Sequence, residues 1–417
     1  MMPKDNPPSN TEDAFTQAQV NPSRPPFRVW QYALSALGAL LLIFILDGLT
    51  NRIDITRFQW DFRYYIAMAQ DGLNTPLLAS PFVYRYATPL LVHILTGLGL
   101  SIEGGFTVLA YLGAFLQLTG IFVFTGWMTG SRKAAWITML VTGLSLFHVK
   151  FLLFDVFRPD HLAYAFILLA TWLAAQRRFT PLLIVTLIAS QFREFTIVPL
   201  IAYLFSFART EPDRRKFYAE VGLSILGLAL ALGLPRLILP IEADFQFISL
   251  TPDGILRGLL APFIATHDIN FVYTLLSYLL PLWIAASIPQ IQSAYHALSL
   301  EWRRFLTAYT GLVLLLSFFG GTDFPRFTTF LFIPQIVLLG GLTEKTHNLV
   351  LAFMLAATAF FNLLWLPIPM DSMETYRDFY GGYNGQVTVV TFWRILEMLA
   401  FVLFGWFLRK RLSAPQP

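Results

Sequence analysis

The chain has 417 residues, of which 56% are hydrophobic and only 13% charged, with a net charge of +4 and no cysteine. An average soluble domain carries about 25% charged residues, so one soluble core is excluded as the place for this much apolar surface. The missing cysteines exclude disulfides, thiolate metal sites and a cysteine nucleophile. The modest positive charge reads as loop charge set by membrane topology rather than as a nucleic-acid surface.

Residues 1–26 are polar and rich in Pro, Ser, Asn and Gln, and read as a disordered cytoplasmic tail. The first apolar run, 27–49, has no small-residue cleavage pattern and reads as a retained spanning helix, not a removed signal peptide. Further apolar runs follow at 105–128, 134–153, 161–176, 180–192, 195–208, 218–240, 270–291, 305–319, 327–342, 348–367 and 391–408. Together they predict an all-α polytopic membrane protein with about twelve transmembrane helices.

Basic clusters fix an orientation. Arg24 and Arg28 precede the first run. Arg132–Lys133, Arg177–Arg178, Arg209 with Arg214–Arg215–Lys216, Arg303–Arg304, Lys345 and Arg409–Lys410–Arg411 follow every second run thereafter. The positive-inside rule puts all of them in the cytoplasm with both termini, and makes 409–417 a cytoplasmic tail. Two conditions follow. Thr88–Leu100 is too short to cross and becomes a juxtamembrane or re-entrant helix inside a long first outer loop, 50–104. The stretch 180–208 becomes two short segments meeting at Arg193–Glu194, an arrangement tolerated where protein or a watery cavity satisfies the freed backbone.

In this orientation the unusual charges collect on the outer side. They occur in Trp60-Asp61-Phe62-Arg63-Tyr64-Tyr65, in Tyr84-Arg85, in Asp155-Val156-Phe157-Arg158-Pro159-Asp160-His161, in Arg193-Glu194 and in Asp323-Phe324-Pro325-Arg326. Positive-inside pressure depletes outer Arg, so Arg63, Arg85, Arg158, Arg193 and Arg326 need a reason. Structural salt bridges or lipid headgroups would be one. A shared cavity for a hydroxyl-rich, partly anionic substrate is another, because Arg pairs phosphate oxygens bidentately and aromatic faces cover a sugar or an isoprene unit.

Other signals are weaker. There is no phosphate-binding Gly-Lys loop, paired-His zinc helix or Gly-x-Ser-x-Gly elbow. Of the 6 His residues, only His161 beside Asp160 is a site candidate, against a capping or packing role. His148 and Lys150 read as supporting or snorkelling groups, and Gly126-x-x-x-Gly130 as helix packing. No long internal repeat is visible, unlike the common repeat-built transporters.

One combination of features carries a family resemblance. A first helix leads into a long outer loop with Asp61, Tyr64 and Tyr65. Tyr84-Arg85-Tyr86-Ala87-Thr88-Pro89 enters a short juxtamembrane helix. A second tip bears Asp155 and Asp160, and Arg193-Glu194 sits within broken helices. This pattern resembles the GT-C superfamily of membrane glycosyltransferases, which includes protein O-mannosyltransferases and lipid A aminoarabinose transferases. The likeness covers mainly a core at 27–216. Residues 217–408 form the region that varies in that superfamily, and these residues lead to no expectation of a soluble C-terminal domain of the kind some members carry.

The resemblance implies sugar transfer from a polyprenyl-phosphate donor in a bacterial inner membrane, on the extracytoplasmic face. Asp61 would be the base, and Asp155 or Asp160 would position the acceptor or hold a divalent cation. Arg85, Arg193 and Arg326 would face the phosphate, with Glu194 orienting Arg193. Arg63, Tyr64, Tyr65, Tyr84, Arg158, His161 and Asp323 would complete the substrate surface, and Asp54, outside the aromatic cluster, is the weaker base. A transporter or flippase for a lipid-linked or anionic solute would use the same cavity but needs access from both faces. A non-catalytic protein of this kind is the third reading.

Overall fold

In the computed structural model, residues 27–56, 61–210, 212–239, 243–244, 267–319, 323–362, 367–385 and 388–412 are described. The expected tail 1–26, the end of the expected tail 409–417, Trp60 and Gly320–Thr322 lie outside them.

The helices in chain order are α1 Val29–Gly48, α2 Phe62–Asp71, α3 Ala87–Gly97, α4 Ile102–Thr129, α5 Arg132–Leu144, α6 Leu146–Phe154, α7 Ala163–Ala175, α8 Phe179–Ala189 and α9 Val198–Phe205. They continue with α10 Arg214–Ile238, α11 His267–Tyr278, α12 Leu280–Ala285, α13 Ile288–His296, α14 Leu300–Phe319, α15 Phe324–Thr343, α16 Asn348–Phe361, α17 Met373–Asn384 and α18 Val389–Leu412. The sole pairing of strands among the described residues is the parallel two-residue match of β1 Ala79–Ser80 with β2 Ala243–Asp244.

By length and composition, α1, α4, α10, α15 and α18 are each long and apolar enough to cross a membrane. The pair α5–α6, bent by 52°, makes a sixth if it counts as one span. The helices α3, α7, α8 and α16 are apolar but shorter. Most apolar runs of the sequence thus become helices, but many are shorter than a straight crossing because turns interrupt them. The run 270–291 breaks most, into α11, α12 and the start of α13.

Local chemistry sets the boundaries. Ser101 Oγ accepts the Gly104 amide at 3.0 Å and starts α4, and Gly130 at φ 66° ends it in the left-handed turn that glycine favours. Ser131 Oγ then accepts from the Ala134 amide at 3.0 Å and starts α5. Gly126 receives the Phe27 ring against α4, so the Gly126/Gly130 spacing serves one contact and one helix end.

The stretch 180–208 does break. Helix α8 stops at Ala189, Arg193 is extended, and a short 3₁₀ turn, Glu194–Ile197, leads into α9. Side chains satisfy the backbone freed by the break. Ser190 Oγ donates to Leu187 O at 2.8 Å, Gln191 Nε2 to the same carbonyl at 3.2 Å and Thr196 Oγ1 to Arg193 O at 2.7 Å. The Ala87 amide donates to Gln191 O at 3.2 Å, which ties the start of α3 to this break.

Helix α4 is the central post, packing against α1, α3, α5 and α7. Its Gly113 lies against the backbone of His161, where a β-carbon would overlap the His161 carbonyl. This close approach seats the loop 155–162 on α4, and Thr88 Oγ1 ties the same loop to α3 by donating to Pro159 O at 2.9 Å.

Candidate functional site

The charged tips picked out in the sequence gather at one end of the helices. Arg85 Nε donates to both Glu194 oxygens, at 3.1 and 3.2 Å, and its Nη1 lies 3.5 Å from the Tyr65 hydroxyl. Arg193 Nε stands 3.2 Å from Asp160 Oδ1 and 3.8 Å from Glu194 Oε2. Arg326 reaches the other Asp160 oxygen at 3.9 Å and pairs with Asp323 at 2.6 Å. Arg158 Nε donates to Asp155 Oδ2 at 2.6 Å, and its guanidinium covers the Phe151 ring at 4.4 Å. Thus the chain from Arg85 to Asp323 is one ion-pair network built from four separate segments.

Burial makes the network strongly coupled. Arg193 is 1% exposed and Asp160 0%. Burial alone would raise the Asp160 carboxyl, but Arg193, Arg326, Arg85 and Arg158 outweigh it and hold the group at about 2. Glu194 and Asp323 are likewise lowered, with burial opposing and the neighbouring arginines prevailing. Asp155 goes up, because its burial exceeds what Arg158 offsets. Burial brings His161 down to about 4, leaving a neutral ring whose Nε2 lies 2.6 Å from Val156 O.

Beside this network is a cavity of about 280 Å³ lined by Asp61, Arg158, Asp323, Arg326, Met373, Tyr376, Arg377 and Tyr380. Asp61 caps the start of α2 by position and is half-buried. Its carboxylate has no hydrogen bond or ion pair among the described residues, although its charge acts on Arg158, Arg326, Asp155 and Tyr65. Asp323 is engaged by Arg326 and by the Tyr380 hydroxyl, which donates to it. The buried Arg158 Nη1 has no hydrogen-bond partner among the described residues. The cavity therefore combines an open carboxylate with an unsatisfied guanidinium donor.

The remaining candidates divide. Arg63 is exposed, donates to the Tyr64 hydroxyl at 2.6 Å and stays out of the network. Tyr64 stacks on Phe82, Tyr65 meets Arg85, and Tyr84 lies under the Arg236 guanidinium at 4.3 Å. Asp160, Arg193, Glu194, Arg85 and His161 do not line the cavity. Asp54 accepts from the Thr56 amide and hydroxyl, also away from it. No group of three metal-ligating side chains occurs among the described residues.

Sequence reasoning missed α17. Its Tyr376, Arg377 and Tyr380 line the cavity, and Ser372 Oγ starts the helix by accepting from the Thr375 amide at 3.1 Å. The signal was present: Met373, Tyr376 and Tyr380 recur at helical spacing, and Arg377 sits in a segment assigned to the Arg-poor side.

No family model matches the chain, and no curated protein or solved structure matches it.

Proposed function

We propose that the chain is an integral membrane glycosyltransferase of the GT-C kind, with about twelve crossings, some of them short or broken. It would move a sugar from a polyprenyl-phosphate-linked donor to an acceptor hydroxyl on the extracytoplasmic face. One observation carries the reading: the Asp61 carboxylate, without a partner among the described residues, lines a cavity together with Arg158, Arg326, Arg377 and two tyrosines.

In this reading the acceptor oxygen attacks the anomeric carbon while Asp61 takes its proton. The bond from that carbon to the phosphate oxygen breaks, and the polyprenyl phosphate leaves with the electron pair and added negative charge. Arg158 and Arg326 would stabilise that charge electrostatically. A single displacement of this kind inverts the anomeric centre. The buried pairs Arg193–Asp160 and Arg85–Glu194 would hold the loops that shape the cavity, a positioning role rather than phosphate contact. Among the described residues the lining does not fit a divalent cation: Asp61 is its one carboxylate not engaged by an arginine, Arg158, Arg326 and Arg377 share the cavity, and arginines engage Asp155 and Asp160.

The test is sugar transfer in vesicles of both orientations, with uptake of the same lipid-linked donor followed in parallel. Transfer from right-side-out vesicles supports this reading. Uptake without transfer supports a transporter.

A further inference from the structure

A second cavity, of about 430 Å³, lies at the far end of α7 from the ion-pair network. Arg177, Arg178, Phe179, Thr180 and Pro181 line one side, and Lys216, Ala219, Glu220 and Leu223 the other. We propose that it binds the headgroup of an anionic phospholipid.

The geometry has a simple origin. Helices α8 and α10 meet at Gly227, where a β-carbon would stand 3.2 Å from the Leu187 methyls and 3.4 Å from Leu183. From that contact the two helices run toward the Arg177–Arg178 turn and the start of α10, and the space between their ends is the cavity. Its flanks continue into exposed apolar side chains, Ile184 and Ile188 on α8 and Leu223 and Leu226 on α10. Ile225 and Leu230 of α10 are exposed as well, so this helix presents a row of apolar side chains beside the cavity. A basic mouth above an apolar flank matches a headgroup phosphate above an acyl chain.

The charges favour an anion. Arg177 adopts φ 54°, a left-handed turn unusual for a side-chain-bearing residue, and its guanidinium reaches Glu301 at 3.6 Å. Arg178 has no ion-pair partner among the described residues and lines the mouth with Lys216. Glu220 is the one carboxylate in the lining, and the Tyr203 hydroxyl donates to it at 3.0 Å. Exposed Arg214 and Arg215 stand on the same helix turn beside the capping Asp213, so that with Arg178 the mouth carries three arginines against Glu220 and Asp213. Basic pockets between spanning helices recognise anionic headgroups through such arrangements.

Native mass spectrometry of the full chain in detergent, titrated with phosphatidylglycerol or phosphatidylcholine of equal acyl chains, tests the site. Retained adducts should favour phosphatidylglycerol, and millimolar inorganic phosphate should not displace them. Arg178→Ala with Lys216→Ala should weaken phosphatidylglycerol binding about tenfold. Leu223→Trp, which fills the cavity and keeps every charge, should weaken it as well. Arg304→Ala with Lys345→Ala, exposed charges elsewhere at this end, should leave it unchanged. Equal binding of the two lipids, displacement by free phosphate, an unaffected Leu223→Trp, or an equal loss in the Arg304/Lys345 variant would each overturn the proposal.

Discussion

Arg193 and Asp160 are buried together, Nε 3.2 Å from Oδ1, and Arg326 approaches the same carboxylate from a distant segment. Removing one partner leaves a buried charge uncompensated, which typically costs about 3–5 kcal/mol. Asp160→Ala should therefore lower the thermal midpoint in detergent sharply, whereas Arg63→Ala, at an exposed tyrosine contact, should change it little. Equal midpoints for Asp160→Ala and wild type would mean that the network does not hold the loops.

The same carboxylate predicts an acid limit. Asp160 is held at about 2 against an ordinary value of 3.8, so the folded state binds its proton more weakly than the unfolded chain. The stabilisation is then complete above about pH 4 and lost as the pH falls toward 2. Glu194 and Asp323 are shifted in the same direction. Thermal midpoints measured at pH 6 and pH 3 should differ more for wild type than for Asp160→Asn.

Gly113 gives a packing test of the site. Its lack of a side chain lets His161 sit on α4 and brings the loop 155–162 into place. Gly113→Leu should push this loop away, costing about 1–3 kcal/mol as overpacking typically does. It should reduce transfer beyond the loss of folded protein, measured by activity normalised to the monodisperse fraction.

Much of this arrangement was legible in the sequence, and the reason is physical. Arg85, Arg158, Arg193 and Arg326 drew attention because charge is costly between apolar helices, and that same cost drives them together with Asp155, Asp160, Glu194 and Asp323. The break at Arg193–Glu194 was legible because the basic clusters on both flanks demand it. What could not be read was who pairs with whom. The family resemblance and the placement on outer tips suggested that Arg85, Arg193 and Arg326 meet one phosphate, whereas tertiary packing brings each onto a carboxylate. The α17 wall was missed because Tyr376 and Arg377 acquire their role only when that helix folds over loops far away in sequence. The number of crossings was also hard to read, since apolarity marks a run but not where turns such as those in 270–291 divide it.

Sidedness has its own test. The absence of native cysteine allows Gln191→Cys and Arg215→Cys to be probed with an impermeant thiol reagent on intact cells. Labelling of Gln191→Cys alone is expected from the positive-inside assignment. Labelling of Arg215→Cys would invert the topology and move the cavity to the other face.

The most direct measurement is the transfer rate of Asp61→Asn, which preserves size and hydrogen bonding but removes the proton acceptor. Because the Asp61 carboxylate has no partner among the described residues, the variant should fold and insert like wild type and still bind its lipid-linked donor. Its transfer rate should fall by about 10²-fold or more, the scale of one general base. Full transfer by well-folded Asp61→Asn would contradict the account.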